Sequence, residues 1–379
     1  MSVSRWALAS LVCFASVVVA QQSSAPAAQP QRQEPPDRNQ PALSHRAAPN
    51  PDAPAGQIKL DVLVTDAAGQ PVAGLEQRDF ILLDDNKPQE IRSFQAVDGS
   101  AGKVAAGDPP LEVILLLDAT NNSLHNVAFE RSQIEKFLRQ NGGHLTQPLT
   151  LMIFSEQGVQ VQPQPSSDGN QIAQSLEKSA ATLHLVQRGS GYDAIERMGL
   201  SMKTLRSIAA VEAPKPGRKM LIWIGPGWPM LEGPGYRATD ATQRSLFNAI
   251  VEMTRILREA RITMYNIDPL DPESPGMMRT SYYKTFLKGV RSAHETNSGD
   301  LSVPVLATHS GGLVLNTADD LVRQLNRCVA EAKAYYTLGF DRLATEHTDE
   351  YHGLEVKVDK PGLKARTNAG YYAEPAFRP

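Results

Sequence analysis

The chain has 379 residues, 21% of them charged, and a formal net charge of −3 with no basic stripe, which argues against nucleic acid as its main partner. It has only two cysteines, one of them inside an N-terminal apolar run, so a disulfide framework and a cysteine-rich metal site are both excluded. The length allows two domains with real cores.

Taken in order, the first residues read as an export signal. Arg5 precedes an almost wholly apolar stretch from Ala7 to Ala20, and Val18-Val19-Ala20 places small side chains at a cleavage point before Gln21. That run is too short to span a bilayer, and no later stretch of about 18 apolar residues follows. Residues 1–20 are therefore expected to be removed, leaving an exported chain without a transmembrane segment, in the periplasm or outside the cell. Residues 21–56 are rich in Pro, Gln, Ala and Ser without apolar periodicity. Such a segment buries too little to offset its chain entropy and reads as a disordered linker.

From Ile58 the pattern is that of a half-buried strand, with Ile58, Leu60, Val62 and Val64 in phase. Turn signals at Gly69 and at Asp84-Asp85-Asn86 separate it from strands at Phe80–Leu83 and Ile91–Val97. Residues 57–108 are thus expected to form a thin antiparallel unit. At Pro109-Pro110 the rhythm changes. Leu111–Leu117 is a continuous apolar run, as in a strand covered on both faces, and Leu149–Phe154, Met220–Ile224 and Ile262–Ile267 are further, mostly apolar strand candidates. Amphipathic helical stretches separate them, and a last short strand at Leu313–Leu315 leads into a helix with Leu321, Leu325, Cys328 and Ala332 on one stripe. That placement favours Cys328 as a core residue, the alternative being a bridge between chains. Residues 334–374 return to strand texture at Tyr335–Phe340, Leu354–Val358 and Lys364–Tyr372, ahead of a tail at 375–379. The expected fold is a doubly wound, mostly parallel α/β sheet over 109–333, inserted in a small antiparallel β-sandwich built from the N- and C-terminal segments.

Several short motifs along this frame resemble a known family. The strand ending in Asp118-Ala-Thr-Asn-Asn122 is similar to the Asp-x-Ser-x-Ser strand end of von Willebrand factor type A domains. The segment VTDAAGQPVAGLEQRDFILLDDNKPQEIRSF, Tyr192-Asp193-Ala194, Met264-Tyr-Asn-Ile-Asp268, His309-Ser-Gly-Gly312 and Tyr335-Tyr-Thr-Leu-Gly339 resemble, in order and spacing, the exported VWFA-related proteins of acidobacterial type. The resemblance covers about Ile58 to Ala373 and implies a metal-ion-dependent adhesion site on the first strand's loop. Asp118, Thr120 and Asn122, with Ser190 from a second loop, are its candidate ligands for Mg2+ or Mn2+, which suit oxygen donors. The sequence departs from the family pattern: Asn122 replaces the second serine, the second-loop threonine has no clear match, and Gly225-Pro226-Gly227 stands where a third-loop aspartate is expected. The alternative is that Asp118 and Asn122 cap the following helix.

On the same rim, Asp268 and Asp271 are candidates for a polar ligand or second cation, against a solvated turn. Trp228 is a candidate anchor for a partner, against a role in stapling its loop. No G-x-S-x-G elbow, H-E-x-x-H pair, phosphate-binding loop or dinucleotide fingerprint occurs, and the histidines lack ligand spacing. The expectation is therefore a non-enzymatic, exported protein-binding or adhesion module with a degenerate metal site. Its alternative is a metal-independent envelope scaffold or interaction protein on the same fold. An unrecognised hydrolase is the minor alternative.

Overall fold

The computed structural model describes residues 56–98, 111–180, 191–228, 238–268, 283–315, 320–342 and 348–373. The expected export signal, nearly all of the linker, Ser190, Asp271 and the 375–379 tail lie outside the described residues.

Two four-stranded antiparallel sheets draw strands from both ends of the chain. In the first, β1 (Gln57–Thr65) lies between β14 (Lys364–Arg366) and β12 (Ala334–Asp341), and β4 (Ser93–Asp98) closes the far edge. Register sets Ile58 opposite Phe340 and Val62 opposite Tyr336. In the second, β13 (Tyr351–Val358) lies between β15 (Gly370–Tyr372) and β2 (Phe80–Asp84), which forms a hairpin with β3 (Lys87–Gln89). Leu60, Val62, Phe80, Leu82, Leu338 and Val356 belong to the core shared by the two sheets.

Two expectations need correction. Residues 57–98 do not form one local antiparallel unit, because β1 and β4 belong to one sheet and β2 and β3 to the other. Alternation reveals which face of a strand is buried but not which strand lies beside it. The stretch Lys364–Tyr372 is likewise two strands, β14 and β15, one in each sheet.

Between the two halves sits a seven-stranded sheet of order β11-β10-β9-β5-β6-β7, with β8 also paired to β6. Its parallel strands are β5 (Glu112–Asp118), β6 (His144–Ser155), β9 (Lys219–Ile224), β10 (Ile262–Ile267) and β11 (Val314–Leu315). The short strands β7 (Gly158–Val161) and β8 (Ser166–Asp168) run antiparallel to β6 and carry no apolar run that would announce them.

Successive residues of β5 feed opposite cores, which explains its unbroken apolar sequence. Val113, Leu115 and Leu117 face the helices α1 (Leu124–Leu138), α2 (Gly169–Ala180) and α6 (Leu321–Ala330), with Cys328 buried among them. Ile114 and Leu116 face α3 (Gly191–Glu212), α4 (Asp240–Glu259) and α5 (Val303–His309). No described helix is long and apolar enough to cross a membrane.

The sheet is fixed to the sandwich by a buried ion pair. Arg261, just before β10, makes two hydrogen bonds to Asp61 of β1, at 2.6 and 3.2 Å, and Thr337 of β12 donates to the same carboxylate at 3.1 Å. Burial raises the Asp61 carboxyl, but Arg261, with Arg218 and Thr337, outweighs it and holds the group below its ordinary range.

Candidate functional site

From β5 the chain turns through α1 to β6 on one side, whereas from β9 it turns through α4 to β10 on the other. The carboxyl ends of β5 and β9 are therefore the point where connections diverge, the place where open α/β sheets hold ligands. Asp118 ends β5 there, and Gly225 follows β9.

Asp118 is fully buried. Its Oδ1 accepts from the backbone N–H of Thr120 (3.1 Å) and of Asn121 (2.9 Å). The Asn121 amide donates to both oxygens, at 3.2 and 2.9 Å, and the Trp223 indole N–H donates to Oδ2 at 3.0 Å. The same Asn121 amide reaches Ser201 Oγ on α3 at 3.0 Å. Burial pushes the Asp118 carboxyl up to about 6, with these hydrogen bonds pulling the other way.

Asn122 faces elsewhere. Its amide donates to both oxygens of Glu130 at 2.9 Å, and its Oδ1 accepts from Ser123 N–H at 2.9 Å. Glu130 lies on α1 and is fully buried, so its carboxyl stands well above its ordinary range, raised first by burial and further by the charges of Asp268 and Asp118. Three carboxylates thus share one buried region at the strand ends.

The helix-capping alternative needs correction. Ser123 is the N-cap of α1, accepting from Asn126 N–H at 3.2 Å, while Asp118 organises the turn that precedes it. Thr120 Oγ1 and Asn121 Oδ1 are buried without a hydrogen-bond partner among the described residues. Gly225 adopts φ +123°, and a Cβ there would come within 3.1 Å of the Asp118 Cβ and 3.5 Å of the Asn122 amide nitrogen. Its carbonyl accepts from Asn266 at 3.0 Å.

Tested as ligands for a divalent ion, Asp118 and Asn122 do not fit in this arrangement. The oxygens of Asp118, the charged member of the candidate set, already face N–H donors, and an amide nitrogen sits between them where a cation would have to be. Asn122 turns its oxygen to a backbone amide, and the third-loop position holds a glycine whose φ of +123° strains any side chain. Trp228 is buried, standing edge-on to Trp223 with centroids 5.8 Å apart. Asp268 is buried at the end of β10, its N–H donating to Leu315 O. Sequence reasoning missed Asn121, Glu130, Ser201 and Trp223. Glu130 alone carried a signal, since it falls in phase with Val127, Ile134 and Phe137 on the buried stripe of α1.

The architecture defines the class: a doubly wound α/β domain carried within a split β-sandwich. No family model matches the chain, and no curated protein matches it. Among solved structures it is similar to an aerotolerance-related membrane protein from Bacteroides fragilis, at 12% identity and a TM-score of 0.32, over 58% of this chain and 98% of that one. Manganese-loaded TRAP protein from Plasmodium vivax is similar at 9% identity and a TM-score of 0.34, over 76% and 97%. The pilus adhesin SpaC from Lactobacillus rhamnosus GG is similar at 10% identity and a TM-score of 0.33, over 80% and 49%. These likenesses are loose and say nothing of activity.

Proposed function

We propose that the chain is an exported, non-enzymatic protein-interaction module of the VWFA-related kind, which meets a protein partner with the carboxyl-end rim of its α/β sheet and needs no ion at Asp118 to do so. The observation that carries this reading is the engagement of both Asp118 oxygens by Thr120, Asn121 and Trp223. A carboxylate so enclosed shapes the rim and offers nothing to an incoming cation. The absence of a carboxylate at Gly225 supports it further, because it leaves Asp118 as the one charged group among the expected ligand positions, a thin basis for holding a divalent ion.

The test is a capture of partners from the source cell's envelope with the purified chain, repeated with chelator and with excess Mg2+ or Mn2+. Capture of the same partner in all three conditions, lost on substitution of rim residues, is the expected result. Capture that needs Mg2+ or Mn2+ and disappears in Asp118→Asn would instead reinstate the metal-assisted adhesion reading.

A further inference from the structure

A second group of polar side chains lies in the sandwich, at the far end of β2. Asp84 closes that strand with its side chain fully buried, and Asp85 follows in the turn to β3. His352 comes from β13, in register with Tyr371 of β15. One ligand atom from each of Asp84, Asp85 and His352 lies within 4.8 Å of the others. Among the described residues this is where His, Cys, Asp and Glu side chains converge closely enough to share one ion.

The surroundings hold these groups in place. His352 Nδ1 is 3.0 Å from Asp84 Oδ1, and its ring stacks on Tyr371 at 4.8 Å. Tyr371 OH donates to Asp84 Oδ2 at 2.8 Å, and Gly353 N–H donates to Asp85 Oδ1 at 3.1 Å. Such outer hydrogen bonds orient ligands in metal sites. The remaining imidazole nitrogen, Nε2, is buried with no hydrogen-bond partner among the described residues. A buried polar atom in that state is costly unless something meets it.

We propose that Asp84, Asp85 and His352 form a binding site for a first-row divalent cation such as Zn2+. One imidazole with two carboxylates is a donor set that suits zinc and its neighbours better than calcium or magnesium. Through Nε2, Asp84 keeps its hydrogen bond to Nδ1 and fixes the ring, the carboxylate–histidine–metal arrangement. Through Nδ1, the proton shared with Asp84 leaves, and both atoms bind the ion. Two ligand atoms at about 2.0 Å on a tetrahedral zinc stand about 3.3 Å apart, so the 3.0 Å between Nδ1 and Oδ1 needs little adjustment. Asp85 supplies the entrance, since its side chain is 31% exposed. Arg291 is its competitor, donating to Asp85 Oδ1 at 3.1 Å from a side chain that is 55% exposed and can swing into solvent.

The experiment titrates Zn2+ alone into the untagged full chain after chelator treatment, by calorimetry and by melting temperature. One equivalent is expected to bind saturably. Asp85→Asn weakens binding at least about tenfold without harming the fold, because asparagine tolerates the positive φ of that turn. His352→Gln abolishes binding, Arg291→Ala tightens it, and Asp118→Asn leaves it unchanged. That last arm separates this site from the strand-end rim, on which the proposal does not depend. Absence of saturable Zn2+ binding in the parent chain, or binding of equal strength in Asp85→Asn, would overturn the assignment.

Discussion

Replacing Asp118 by asparagine tests the enclosed carboxylate most directly, because two effects of similar size oppose each other and only one depends on pH. The carboxyl is raised from 3.8 to about 6, chiefly by burial. Its ionised form therefore costs the folded state about 3 kcal/mol at neutral pH, at about 1.4 kcal/mol for each unit. Asparagine removes that cost. It also places an NH2 group among N–H donors. If the amide oxygen stays with the two backbone N–H groups, the new nitrogen faces the Trp223 indole N–H and the Asn121 amide. Leaving that buried indole N–H unpaired costs about 1–3 kcal/mol.

At about pH 7 the two terms nearly cancel, and Asp118→Asn should sit close to the parent in stability. The sign of the pH effect follows from linkage. A carboxyl with a raised folded pKa contributes stability that is complete below its unfolded value of 3.8 and is lost as pH rises through about 6. Going from about pH 7 to about pH 5, the parent should gain about 1.4 kcal/mol from this group, and the variant should not. Urea denaturation in chelator-containing buffer at the two pH values, followed by tryptophan fluorescence, measures the difference of differences. Asp61 does not intrude, because its lowered pKa is expressed only as pH falls below about 4. Equal pH slopes in parent and variant, or a loss of several kcal/mol already at about pH 7, would refute the reasoning.

Three further outcomes are expected. Gly225→Ala should cost about 1–3 kcal/mol in the same denaturation assay, because φ +123° strains any L side chain and the new Cβ would press on Asp118. Arg261→Ala should cost about 3–5 kcal/mol, since it leaves the Asp61 carboxylate buried without the cation that is hydrogen-bonded to it; a loss below about 1 kcal/mol would show that the pair is not what fixes the sheet to the sandwich. Deletion of residues 334–379 removes β12 and β13, an inner strand of each four-stranded sheet, and should leave the remainder aggregated on gel filtration; a monomeric, cooperatively melting truncation would contradict this.

How far the sequence discloses this molecule depends on which physical constraint each feature answers to. The parallel strands were legible because burial on both faces favours apolar residues at successive positions, and β5 and β9 show it in the runs Val113–Leu117 and Met220–Ile224. Their order in the sheet, and the exchange of strands between the two halves of the sandwich, were legible only in outline, since pairing partners leave no mark on periodicity. The strand end was legible at Asp118, Thr120 and Asn122 because a family pattern falls there. What encloses Asp118 was not, since Trp223 and Ser201 lie 105 and 80 residues from their partners and nothing local marks them.

One signal would have recovered more of both sites. Glu130 stands in phase with the apolar stripe of α1, Asp84 with Phe80 and Leu82 of β2, and His352 with Leu354 and Val356 of β13. In each case a titratable residue occupies a position whose neighbours in phase are buried, and in each case the structure buries it too. Such a residue must find a partner or shed its charge, because an unpaired buried charge costs more than one side chain's packing can return. Glu130 meets Asn122, and Asp84 meets His352 and Tyr371. His352 has one nitrogen met and the other, among the described residues, not. A polar residue in step with an apolar period is therefore the place to look for a site, and here that rule leads to His352 as directly as the family pattern leads to Asp118.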